Sequence, residues 1–74
     1  MKGRVTVVMP DQSVEEWWLT NQTEAVSDGL MLLQDGSGRL YAPGDLPAGT
    51  TIRPQTDNIL MTLSARRAGF KVRT

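Results

Sequence analysis

The stretch LMLLQDGSGRLYAP, residues 30–43, decides the class of fold to which this sequence belongs. It consists of an apolar run, a polar segment with two glycines (Asp35–Gly38) and a second run that ends at Pro43. Glycine readily adopts the positive φ angles that a tight reversal requires, so two short runs joined in this way are typical of a β-hairpin. The stretch therefore predicts two neighbouring antiparallel strands.

Further strands are predicted on both sides of this hairpin. Residues 4–9 are rich in β-branched side chains and stop at Pro10, which cannot donate a hydrogen bond to a sheet. Residues 50–53 predict a short edge strand that stops at Pro54, and the alternation of apolar and basic side chains over residues 70–73 predicts a closing strand. These segments indicate a small antiparallel sheet of three to five strands.

A helix is predicted near the C-terminus, over about residues 57–68. Gly69 follows it, where helices often end in a left-handed residue, and Arg66 and Arg67 lie in the last turn, where the helix dipole favours cations. A chain of 74 residues forms one domain. We therefore predict a single α+β domain over residues 1–74, with the helix packed on the sheet.

The segment that contains both tryptophans admits two interpretations. Ser13 followed by Glu16 matches a helix capping box, and Trp17 and Trp18 then fall on one helical face, so we favour a short helix. Alternatively, a turn before it makes residues 14–20 the second arm of a hairpin. Either structure buries at least one tryptophan, whereas the strand exposes the other as a typical binding anchor.

The core is predicted to draw on every element of the fold. Apolar side chains at alternating strand positions and along one side of the helix supply it. The predicted core residues are Val5, Val7, Trp17 or Trp18, Leu30, Leu32, Leu40, Ile52, Ile59, Leu63 and Phe70.

Composition excludes several functional classes. The sequence has no cysteine and no histidine, so it lacks a thiol nucleophile, the usual general base and most metal ligands. We predict no enzymatic activity, no metal site and no cofactor. No apolar run approaches the ~20 residues that cross a bilayer, nor the length of a signal-peptide core, so we expect no membrane partner and a cytoplasmic location. A domain this small without disulfide or metal also favours association with itself or a partner.

Charges segregate along the chain although the net charge is zero. Six acidic and no basic residues lie between positions 11 and 35, whereas five basic residues and one acidic residue lie from position 53 to the end. The two sets either neutralise each other in the fold or present faces of one sign to a charged partner. The predicted basic patch consists of Arg53, Arg66, Arg67, Lys71 and Arg73. The predicted acidic and aromatic segment consists of Glu15, Glu16, Trp17 and Trp18.

The segment AGFKVR, residues 68–73, follows the predicted helix and enters the predicted closing strand. It resembles the C-terminal part of small bacteriophage inhibitors of bacterial RNA polymerase. The size, the absence of cysteine and the basic ending resemble short accessory proteins of phages and mobile elements. The resemblance implies a regulatory protein that acts on host machinery in the host cytoplasm.

Three functions remain open on the sequence. We favour a small non-enzymatic protein that modulates a host macromolecule, for example the transcription machinery, by protein–protein contact. The alternatives are a nucleic-acid-binding protein that uses the C-terminal basic patch and a structural subunit of a virion or other assembly.

Overall fold

The computed structural model describes residues 2–20, 31–55 and 59–73 and contains a five-stranded sheet and one α-helix. All four pairings between the strands are antiparallel, in the order β4-β3-β2-β1-β5. The predicted α+β fold is confirmed. The elements are β1 (Lys2–Val8), β2 (Val14–Thr20), β3 (Leu32–Gln34), β4 (Leu40–Tyr41), a 3₁₀ turn (Pro43–Asp45), β5 (Thr51–Pro54) and α1 (Ile59–Ala68).

The segment with both tryptophans forms strand β2, so the favoured helix is wrong and the alternative hairpin is correct. Strand β2 pairs with β1 along its whole length, from Lys2↔Thr20 to Val8↔Val14. Asp11 Oδ1 accepts a hydrogen bond from the backbone N–H of Ser13 (2.9 Å), so this segment closes a turn rather than capping a helix. Pairing with β1 satisfies the backbone of β2 and overrides the local capping pattern.

The hairpin predicted from residues 30–43 is present as β3 and β4. Asp35 organises its turn: Oδ1 accepts hydrogen bonds from Ser37 N (2.9 Å), Ser37 Oγ (2.6 Å) and Arg39 N (3.0 Å). Gly38 has a φ of 92°, the positive value that glycine adopts without strain. The first residue of the predicted hairpin, Leu30, lies outside the described residues.

The helix ends where the sequence predicts, and the chain then returns to the sheet. Gly69 has a φ of 108°, and the N–H of Phe70 donates to the carbonyl oxygen of Ala65 (3.1 Å), which closes the last turn. The predicted closing strand is reduced to one parallel bridge between Ile52 and Val72. Positions 57 and 58 of the predicted helix lie outside the described residues.

The core lies between α1 and one face of the sheet, which we call the inner face. Strand residues alternate between the two faces, so the opposite, outer face carries the residues between the core positions. The buried apolar side chains are Val5, Val7, Trp17, Leu19, Met31, Leu33, Ile52, Met61, Ala65 and Phe70. Of the predicted core, Val5, Val7, Ile52 and Phe70 are confirmed, and Trp17 is the buried tryptophan.

Four predicted core residues take other positions. Leu32 and Leu40 are half-buried, because the pleat turns Leu33 rather than Leu32 towards the core. The prediction that Ile59 and Leu63 belong to the core is wrong, because they are 69% and 49% exposed.

The helix instead turns Met61 and Ala65 inward, four residues apart on one face. Its approach to the sheet is close at Gly3, since a Cβ there would overlap the terminal atoms of Met61.

Candidate functional site

The outer face of the sheet carries a row of three polar and aromatic side chains. Arg4, Trp18 and Gln34 occupy paired positions on β1, β2 and β3, so their side chains lie side by side on this face. Arg4 is exposed and Trp18 is half-buried. Thr20, the next outer position on β2, is buried, so the accessible part of the outer face runs from Trp18 towards Val14.

The next outer row places Glu16, Thr6 and Arg53 on adjacent strands. Gln55 Nε2 donates to Thr6 Oγ1 (2.9 Å) and to Glu16 Oε1 (3.1 Å). The carboxylate of Glu16 is therefore held by a neutral amide. Arg53 is exposed at the other end of this row.

An open depression of about 490 Å³ lies on the outer face beyond this row. Val8 and Val14 supply its apolar part, and Val14 is 59% exposed. Arg53 and Arg73 supply its two cationic side chains. The bridge between Ile52 and Val72 holds Arg73 beside Arg53, because both arginines follow residues that the bridge joins. The depression thus combines an apolar lining with two guanidinium groups.

The inner face ends in an aromatic stack at its β4 edge. Trp17 and Tyr41 stack with ring centroids 4.8 Å apart and planes 20° apart, and the guanidinium carbon of Arg39 lies 5.1 Å from the Tyr41 centroid. Tyr41 Oη donates to Asp35 Oδ2 (2.8 Å). Hydrogen bonds from the side chains of Ser37 and Tyr41 lower the pKa of Asp35 to about 2, and the bond to Asp35 raises the pKa of Tyr41. This cluster joins the β3–β4 turn to the core.

The helix presents an apolar surface away from the sheet, which we call the helix surface. It consists of Ile59, Leu60 and Leu63, which are 69%, 63% and 49% exposed. Arg66 and Arg67 follow in the last turn of the helix and are exposed. Three large apolar side chains at this exposure on a ten-residue helix form a patch of the kind that marks interaction sites.

The structure divides both predicted sites. Of the predicted basic patch, Arg53 and Arg73 share the outer-face depression, whereas Arg66 and Arg67 lie on the helix, which packs on the inner face. Lys71 is exposed and lines a different, smaller depression beside Gly69 and Phe70.

The predicted acidic and aromatic segment is split by the pleat of β2. Glu15 and Trp17 point to the inner face, and Glu16 and Trp18 point to the outer face. Sequence reasoning missed Arg4, whose place beside Trp18 depends on the register between β1 and β2.

The described part of the chain holds no group of three acidic side chains that could bind a metal ion. Its only α-helix is too short to span a membrane.

A smaller depression of about 110 Å³ between residues 43–50 and 69–71 is lined mainly by proline, glycine and alanine. Its lining offers no paired acid and base.

No protein-family model matches this chain, and neither does any curated protein or solved structure. The outer face and the helix surface are the two candidate sites for function.

Proposed function

We propose that the protein is a small non-enzymatic binding protein that modulates a host macromolecule by protein–protein contact, with the helix surface as its contact. The observation that supports this proposal is the exposure of Ile59, Leu60 and Leu63 on one helix. A domain of 74 residues has few apolar side chains to spare from its core. Burial of each by a partner would contribute roughly 1–2 kcal/mol, since each is about half to two-thirds exposed.

The charge at the end of the helix surface specifies the chemistry of the partner. Arg66 and Arg67 extend the apolar row by one turn, so a complementary groove has an apolar floor and carboxylates at one end. An amphipathic helix in such a groove is a common mode of protein recognition. The resemblance of residues 68–73 to phage inhibitors of RNA polymerase makes the bacterial transcription machinery the first partner to test.

The test measures affinity for purified bacterial RNA polymerase by fluorescence anisotropy of the labelled protein. The double variant Ile59→Ser/Leu63→Ser should weaken binding at least tenfold, because it removes two apolar contacts without touching the buried side of the helix. The matched control Val14→Ser removes a similarly exposed apolar side chain (59%) from the outer face and should leave the affinity unchanged. Arg66→Ala/Arg67→Ala should weaken binding most at low salt.

Two results contradict the proposal. If RNA polymerase binds the Ile59→Ser/Leu63→Ser variant as tightly as the wild type, the helix surface is not the contact. If the same substitutions dissociate an oligomer of the protein in sedimentation, the patch is a contact between copies of the chain. That outcome would favour the structural subunit.

A further inference from the structure

We propose a second binding site, on the outer face, for single-stranded nucleic acid. Arg53, Arg73 and Arg4 would contact the backbone phosphates, and a base would stack against Trp18. This site is separate from the helix surface and from the basic patch that the sequence predicts, because it excludes Arg66 and Arg67.

The outer face carries an excess of positive charge. Its described side chains include three arginines, Arg4, Arg53 and Arg73, and the carboxylate of Glu16, and the carboxylate of Asp35 lies in the turn at its edge beside Trp18. The whole chain has a net charge of zero, so this face is more positive than the molecule as a whole. Gln55 hydrogen-bonds the Glu16 carboxylate (3.1 Å), and the hydroxyls of Ser37 and Tyr41 hydrogen-bond Asp35. These bonds hold both carboxylates in place without removing their charge, and the three arginines remain in excess.

The spacing of these groups suits an extended strand of nucleic acid. Adjacent strands lie about 4.8 Å apart, and successive outer positions on one strand lie about 6.8 Å apart. Trp18 and Arg53 are separated by two strand spacings and one outer position, with Arg4 between them. An extended strand that crosses β2, β1 and β5 can therefore contact the indole and then the arginines in succession.

The surroundings of Trp18 favour a nucleic acid over an acidic polypeptide. A recess beside Trp18 is lined by Gln34, by the carboxylate-bearing Asp35 and by the turn residues Gly36 and Gly38, whose lack of side chains leaves room beside the ring. A flat base fits such a recess and stacks on an indole, whereas acidic side chains gain nothing there. The depression of about 490 Å³ at Arg53 and Arg73 falls within the ~300–1,000 Å³ of ligand sites.

The accessible face also limits what can bind. Buried Thr20 closes it at one end, and the edge strand β4 has only two residues. A site of this length holds about four nucleotides, at the lower end of the range for single-strand-binding domains. The recess needs an unpaired base, so a duplex should bind more weakly.

The test is the fluorescence anisotropy of a fluorescein-labelled oligothymidylate of twelve nucleotides, titrated with the protein at ~50 mM salt and at higher salt. Single-stranded binding releases about 0.7 counterion per phosphate contacted, so three arginines give a logarithmic salt slope of about −2. Arg53→Ala/Arg73→Ala should lower affinity at least tenfold and reduce the slope to about −0.7. Trp18→Leu should lower affinity roughly 5- to 150-fold with little change of slope, because stacking contributes ~1–3 kcal/mol per base.

The matched control is Arg66→Ala/Arg67→Ala, which removes the same charge from the helix and should leave affinity and slope unchanged. Circular dichroism of each variant confirms that it is folded. The proposal is overturned if the wild-type protein shows no saturable binding at ~50 mM salt. It is also overturned if Arg66→Ala/Arg67→Ala loses as much affinity as Arg53→Ala/Arg73→Ala. Equal affinity for a duplex or for a polyglutamate peptide overturns it too. The variant Ile59→Ser/Leu63→Ser should bind the oligonucleotide normally, so failure of one proposal is distinguishable from failure of the other.

Discussion

The inner and outer faces of the sheet are built from the same strands, yet they carry opposite kinds of side chain. On β2, Trp17 is 5% exposed and stacks on Tyr41, whereas the next residue, Trp18, lies between Arg4 and Gln34 on the outer face. The inner face is closed by α1 and by Phe70. The outer face, from Trp18 to Val14, is covered by no described helix.

This difference separates residues that specify the fold from residues that are available for binding. An inner side chain is held by many neighbours, so its replacement is expected to reduce stability. An exposed outer side chain such as Arg4 or Arg53 can be replaced with little loss of stability, so these arginines are open to selection for a ligand. The two adjacent tryptophans give the sharpest test of the comparison.

The largest expected effect is that of Trp17→Ala. Loss of this buried ring, with its stack on Tyr41, should reduce the free energy of unfolding by about 3–5 kcal/mol. A domain of this size has a total of only ~4–11 kcal/mol. Trp18 is only half-buried, so Trp18→Ala should cost less, about 1 kcal/mol. Urea unfolding followed by circular dichroism measures both, and equal losses in the two variants would show that the faces do not differ in this way.

The second prediction applies the same comparison to the helix. Met61 is buried against the sheet at Gly3, so Met61→Ala should reduce the free energy of unfolding by about 2–3 kcal/mol. Leu63 is 49% exposed, so Leu63→Ala should cost about 0.5 kcal/mol. Thermal and urea unfolding measure both. A larger loss for Leu63→Ala would mean that the helix packs with a different face.

The parts of the fold that could be predicted are those that local chemistry determines. Asp35, Gly38 and Gly69 each fix a turn or a helix end through their own backbone conformation or hydrogen bonds. The hairpin of β3 and β4 and the end of α1 were therefore visible in the sequence.

Strand β2 was not predictable in this way. Its helix-like cap is a local pattern, whereas its pairing with β1 and β3 is a property of the whole sheet. The side of α1 that packs on the sheet could not be predicted for a related reason. Apolar residues occupy most of the circumference of α1, so the sequence period does not show which side of the helix packs on the sheet. The close contact between Met61 and Gly3 determines that side.

The candidate sites depended on the same long-range information. Charge segregation along the sequence suggested one basic patch, but Arg66 and Arg67 lie on the helix while Arg53 and Arg73 lie on the outer face. Arg4 could be placed beside Trp18 only once the strand register was known. Residues close in sequence, such as Glu15 and Glu16, lie on opposite faces because a strand alternates.

The smallest expected effect concerns Asp35, at the edge where the inner face meets the β3–β4 turn. Hydrogen bonds from Ser37 and Tyr41 lower its pKa from 3.8 to about 2, so its ionised form stabilises the fold above about pH 4. This stabilisation should be lost as the pH falls from about 4 to about 2.

Asp35→Asn should remove that pH dependence from urea unfolding. It should also return the pKa of Tyr41 towards 10.0, measured by ultraviolet absorbance. Tyr41→Phe keeps the hydrogen bond from Ser37 to Asp35, so it should only narrow the pH range over which this stabilisation is lost. A wild-type pKa of Asp35 near 3.8 by NMR would contradict the role of Asp35 in joining the turn to the aromatic stack.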